Sequence, residues 1–209
     1  MTRLLLLLLF ITSGWDVHAQ KSLRDFGKLR DGDLLFVVAP SANAITEVTQ
    51  GKNSLPIDHV AIFFRHEGKP MVIEANYNGV VERELETFLQ GKQMVTVGRI
   101  KGDLDAAATI RKAHSYLGMP YDFVFLPDNG AVYCSELVQL SYVDRAGNPL
   151  FSAIPMSFHD DSGEITTYWT DFYARRALDV PEGKPGTNPN EISHRKCVRI
   201  KYKWQRIDK

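Results

Sequence analysis

One of only two cysteines in this 209-residue chain, Cys134, sits in the stretch GAVYCSELVQLSY (Gly130 to Tyr142). There, loop-like sequence gives way to an apolar helical pattern. The unpaired N–H groups and positive dipole end of a helix N-terminus favour a thiolate. Such placement lowers a cysteine pKa from its ordinary value of about 8.5 and makes a nucleophile. The alternative is a small, inert residue in a core. A nucleophilic thiol also needs a base within hydrogen-bond reach and a group that orients the base. Of the six histidines, His18 falls in the leader, His66 in a hairpin tip, His114 in an amphipathic helix, and His159 and His194 in polar loops. His59 stands in the apolar strand DHVAIFF, where burying an imidazole costs free energy unless its nitrogens find partners.

Glu74, in MVIEA, is a second polar residue in an apolar strand, and carboxylates are rarely fully buried unless paired. A hairpin with a four-residue loop at Arg65–Gly68 pairs residues whose numbers sum to 133. His59 and Glu74 then stand directly opposite, with Cβ atoms roughly 5 Å apart. A one-residue slip would put them on opposite faces. A glutamate holding one imidazole nitrogen fixes the tautomer and leaves the other nitrogen for a thiol. The alternative is a pair that braces the sheet without doing chemistry. Ligand spacings such as C-x-x-C or H-E-x-x-H and the glycine pattern of nucleotide loops are absent, so no metal or cofactor is expected.

These residues must be positioned by a mixed set of elements. Strands are expected after Asp31-Gly32-Asp33 (LLFVV), at Asp58–Phe64, at Pro70–Ala75 and, beyond an Asn78-Gly79 turn, at Val80-Val81. VERELETFLQ reads as partly helical, Met94–Ile100 alternates as a strand, and CVRIKYKW ends the chain as another. Helices are expected over Ala42–Gln50 (ended by Gly51), Asp103–Leu117 with Asp103 as N-cap, Ser135–Asp144 and Thr166–Ala177. Lys21–Arg30 reads as a charged approach with a short helix, and the stretch EGKPGTNPNEISHR as a loop. This is an α+β pattern of antiparallel strands with helices mainly in the second half.

The chain begins MTRLLLLLLFITSGWDVHAQ, with Arg3, an apolar run from Leu4 to Ile11, then Val17-His18-Ala19 before the expected cut. This is the layout of a secretory signal peptide. The expectation is removal of residues 1–19 and one domain over 20–209, secreted or periplasmic. The apolar run is shorter than the about 20 residues of a spanning helix, so stable membrane insertion is not expected. The 25 basic and 25 acidic residues cancel, without the basic field that nucleic-acid binding requires. In an oxidising compartment Cys134 and Cys197 could pair, but a domain of this length has little need of one bridge.

RDGDLLFVV, DHVAIFF, VIEA and YCSELVQLSY, in that order, resemble the NlpC-type papain-like peptidases in circularly permuted form, specifically the YiiX-like branch. The resemblance spans roughly Leu29 to Tyr142. It implies a small antiparallel barrel-like sheet with the cysteine helix packed against it. It implies Cys134 as nucleophile, His59 as general base and then acid, Glu74 as the orienting third residue, and the Cys134 N–H as an oxyanion donor. Ordinary relatives place Asp before the cysteine to engage the free amine of a cell-wall stem peptide; here that position is Tyr133. Tyr133 either lines the substrate pocket or packs. Glu136 is an alternative amine anchor or simply a favourable first-turn acid, and Tyr121 and Asp122 could border the cleft. The implied substrate is an amide in a cell-wall peptide. The same machinery on lipid or thioester acyl groups, and a non-catalytic binding module, are the competing readings.

Overall fold

The computed structural model describes residues 27–49 and 55–205. The expected signal peptide, most of the expected Lys21–Arg30 helix and Gly51 lie outside the described residues. Along the chain run β1 (Leu34–Val38), α1 (Ala44–Thr49), β2 (Ile57–His66), β3 (Lys69–Asn76), β4 (Gly79–Glu84), α2 (Leu85–Leu89) and β5 (Met94–Ile100). Then come α3 (Ala106–His114), α4 (Cys134–Ser141), β6 (Ile154–Pro155), α5 (Thr167–Ala174), β7 (Pro185–Gly186), α6 (Pro189–His194) and β8 (Val198–Gln205). This is the α+β class expected.

Six strands form one antiparallel sheet in the order β4-β3-β2-β1-β5-β8. The sheet is open, with β4 and β8 at its edges, and not the barrel-like sheet the sequence suggested. Closure would require those two strands to pair. Its central strand β1 is buried along its whole length, because both faces are covered. On one face Leu34, Phe36, Val60, Ile62 and Ile73 pack with Leu137 and Val138 of α4. On the other, Leu35, Val37, Phe63 and Val72 pack with Leu85 and Phe88 of α2. Alternate residues of one strand thus serve two cores.

The β2–β3 hairpin differs from the expected loop. Both strands extend further, to His66 and from Lys69, leaving a two-residue turn of Glu67 (φ 49°) and Gly68 (φ 81°). Positive φ at both central residues is the hairpin turn whose twist matches the strands. The pairs therefore sum to 135, as in Ile62↔Ile73 and His66↔Lys69. Continued, that register brings Glu74 level with Ala61 rather than His59. A shift of two keeps every side chain on its expected face.

Helix boundaries moved for local reasons. Asp105, not Asp103, caps α3 by accepting from the Ala108 N–H at 2.8 Å. The region expected to be loop at 182–195 contains α6, because Asn188 accepts from the Glu191 N–H at 2.7 Å and Pro189 occupies the first turn. Both cysteines are free thiols.

Candidate active site

Cys134 is the first residue of α4 and is 5% exposed. The segment before it is strapped to the sheet: the Val80 N–H donates to Met119 O at 2.8 Å, and the Gly118 N–H to Val80 O at 2.9 Å. Gly79 (φ 96°) allows that approach, since a Cβ there would meet Met119 O at 2.4 Å. From the other end of α4, the Tyr142 hydroxyl donates to Gly32 O at 2.9 Å. These ties hold α4 and the segment before it against the sheet.

His59 lies close enough to the Cys134 side chain for that group to raise its pKa. Its Nε2 lies 2.5 Å from Glu74 Oε2, so Nδ1 is the ring nitrogen left for the thiol. Burial pulls the His59 pKa down, but Cys134 and Glu74 outweigh it and raise the value to about 10. Glu74 is 1% exposed. Besides His59 it takes the Asn76 Nδ2 donor on Oε1 at 3.0 Å and ion-pairs with Arg83. Burial pushes its carboxyl up, yet His59, then Arg83 and Asn76, hold it near about 2. A buried carboxylate so surrounded stays ionised, whereas an unpaired one would not. The face of Phe88 underlies the cluster, with the Arg83 guanidinium 5.4 Å and the Lys92 ammonium 4.2 Å from its centroid.

A cleft partly open to solvent reaches Cys134, and His59 and Glu74 are not among its lining residues. Its walls are largely apolar: Ile45 and Val48 of α1, Phe125, Met156, Phe158 and Trp169. Trp169, from α5, is held by its Nε1 donating to Ala44 O at 3.1 Å, which joins α5 to α1 across the cleft. None of these wall residues was singled out in the sequence. The aromatic run TYWTDFYA was the available signal, but apolar periodicity does not distinguish a pocket wall from a core.

Tyr133 both lines this cleft and packs. It is 3% exposed, its ring meets Phe125 edge-on at 5.3 Å, and its hydroxyl accepts from the Thr187 N–H at 3.0 Å. Burial raises its pKa to about 12. Tyr121 also lines the cleft, and burial followed by the nearby Cys134 charge raises its pKa strongly. Glu136 does not line it. The Glu136 carboxylate turns back to the Tyr133 N–H at 3.4 Å, closing the first turn of α4, and burial raises its pKa to about 7. Asp122 is spent on a local turn, accepting from the Val124 and Leu126 N–H groups at 2.8 and 2.7 Å. Among the described residues, no three His, Cys, Asp or Glu side chains gather as a metal-ligand set.

Residues 28–200 match the family described as permuted papain-like amidase enzymes, YaeF/YiiX, C92 family, and the chain belongs to that family. Its fold is also that of the crystal structure titled metalloprotein yiiX from Escherichia coli O157:H7, DUF1105. That likeness has a TM-score of 0.70 at 22% identity and covers 85% of this chain and 98% of the other. Among curated proteins, none matches the chain. The family is one of papain-like hydrolases, so the chain has the fold of an amidase-type enzyme whose sequence order is circularly permuted.

Proposed function

We propose that this protein is a cysteine amidase in which Cys134, His59 and Glu74 act as a triad. The observation that carries this reading is the His59 ring held through Nε2 by the buried Glu74 carboxylate and lying near enough to Cys134, at the start of α4, for the thiol to raise its pKa. Cys134 attacks the amide carbonyl, and the S–C bond forms as charge moves to the carbonyl oxygen. The Cys134 backbone N–H, at a helix start, faces that developing charge. His59 gives its proton to the leaving nitrogen as the C–N bond breaks. Water, deprotonated by His59, then cleaves the thioester and restores the thiol. Glu74 keeps the ring oriented and stabilises the imidazolium, and Arg83 and Asn76 hold Glu74.

Two substrate classes compete. The cell-wall peptide rests on the family resemblance and on the leader-like start of the sequence, which also supports a secreted or periplasmic location. The cleft walls favour the other class, an amide whose acyl part is a long apolar chain, because Val48, Met156, Phe158 and Trp169 offer it dispersion contacts. Purified protein should release amine from dodecanoyl amides faster than from muropeptides, and the Cys134→Ala variant should release none. Cleavage of muropeptides alone would return the substrate to the cell wall, and amidase activity surviving Cys134→Ala would overturn the mechanism.

A further inference from the structure

Asp58 is the one charged side chain among the described residues that line the cleft. Its position comes from an irregularity of the sheet. Val37 pairs with His59 but Val38 with Ile57, so β2 carries one extra residue there and Asp58 has no cross-strand partner. Such bulges re-aim a side chain and recur beside active sites. Among the described residues, Asp58 makes one side-chain bond: Asn43 Nδ2 donates to its Oδ2 at 2.8 Å. Asn43 in turn caps α1, its Oδ1 accepting from the Ile45 and Thr46 N–H groups at 3.1 and 3.0 Å. Within the described residues Asp58 has no ion-pair partner and its Oδ1 accepts no hydrogen bond, although the Lys92 ammonium is within electrostatic reach. This contrasts with the buried carboxylates Glu74 and Asp33, each of which faces an arginine.

A half-buried carboxylate in an apolar cleft loses solvation when an occupant displaces water, and only an opposite charge compensates it well. Asp58 is also the chain neighbour of His59, the group that hands a proton to the departing nitrogen. We infer that Asp58 selects substrates whose leaving amine carries a second, positively charged nitrogen, an ammonium or quaternary ammonium group, and disfavours amines bearing a carboxylate or phosphate. The inference rests on the amidase reading above. It adds the class of amine to the class of acyl group read from the walls, and returns to Asp58 the charge recognition that Tyr133 cannot supply.

The Asp58→Asn substitution separates recognition from architecture, because the amide oxygen can still accept from Asn43 while the charge is gone. Two measurements use it, both in a Cys197→Ser background at low ionic strength, where surface charge is least screened. The first needs no substrate: rates of Cys134 modification by trimethylammonioethyl and sulfonatoethyl methanethiosulfonates, each normalised to a free thiol. The cationic-to-anionic ratio should fall about fivefold or more on losing the carboxylate. An unchanged ratio overturns the inference. The second compares N-(2-aminoethyl)dodecanamide with dodecanoyl ethanolamide, a matched pair differing in ammonium against hydroxyl. Parent protein should favour the ammonium probe by about tenfold in kcat/KM, a difference of about 1.4 kcal/mol. Asp58→Asn should erase that preference. Equal preference before and after the substitution overturns the inference even if the reagent ratio moves. If the parent hydrolyses neither amide, the long-chain acyl reading falls, while the reagent ratio still decides whether Asp58 selects charge at Cys134.

Discussion

His59 and Glu74 are not cross-strand partners, yet Nε2 and Oε2 of the two side chains meet at 2.5 Å. The two-residue turn at Glu67-Gly68 shifts β2 against β3 by two positions from direct opposition. The side chains then span the diagonal, a distance long polar groups can bridge. The shift also frees the Glu74 carboxylate to receive Asn76 on its own strand and Arg83 from β4. The diagonal pair thus holds one nitrogen of a ring that lies near Cys134.

Replacing Glu74 by Gln removes the charge that holds the imidazolium while keeping the side-chain shape. Amide turnover should fall about 10²-fold or more in kcat with little change in KM, as expected for a group acting through the histidine. Steady-state kinetics on a dodecanoyl amide tests this. A KM effect alone would assign Glu74 to binding.

The pH dependence follows from two shifts of opposite sign. The His59 pKa is raised to about 10, so its contribution to stability is complete below 6.5 and is lost as pH rises toward 10. The Glu74 pKa is lowered from 4.5 to about 2, so its contribution is complete above 4.5 and is lost as pH falls toward 2. Chemical denaturation across this range should show a plateau between the two flanks. Glu74→Gln should flatten the acid flank and bring the alkaline flank to lower pH. Flanks unmoved by the substitution would contradict the pairing.

Tyr133→Phe leaves the Thr187 N–H, buried behind the cleft, without its acceptor. A cost of about 1–3 kcal/mol in stability is expected. Cys134 alkylation by iodoacetamide should be nearly unchanged, because the Tyr133 hydroxyl faces Thr187 and not the thiol. A large loss of thiol reactivity would instead give that hydroxyl a part in the chemistry.

Gly79→Ala should be more damaging than Gly68→Ala, although both glycines have positive φ. Each substitution carries backbone strain on the order of 1–3 kcal/mol. Only at Gly79 does the new methyl group meet a carbonyl oxygen, that of Met119, while nothing lies within 4 Å at Gly68. A drop in Tm of roughly 4–10 °C is expected for Gly79→Ala, with a smaller one for Gly68→Ala. Equal drops would mean that the strap preceding α4 is not held through this approach.

Polar residues in apolar strands were the readable part of the site. His59 and Glu74 stand out because burial of either is costly alone, and Cys134 because it begins a helical pattern. The strand faces were legible for the same reason, through the period-2 alternation of Met94–Ile100 and the apolar runs of β2 and β3. Turn length was not, since Arg65, His66, Glu67 and Gly68 suit a four-residue loop as well as two strand ends and a tight turn. That the sheet stays open was not legible either, because whether β4 and β8 pair depends on sheet curvature. The cleft stayed hidden for a different reason. Ile45, Phe125, Met156 and Trp169 come from four separate segments and look like core residues in each. Asp58 was hidden too, because a bulge arises from the pairing of two strands and leaves no mark on one.

The most direct test is to trap the covalent intermediate. Protein mixed with a dodecanoyl amide or activated ester, quenched in acid within milliseconds to seconds and digested, should carry one dodecanoyl group on the peptide containing Cys134. The adduct should decay on longer incubation. In His59→Ala it should form far more slowly, and in Cys134→Ala not at all. Hydrolysis of the amide without an adduct on Cys134, or at an undiminished rate in Cys134→Ala, would contradict the triad.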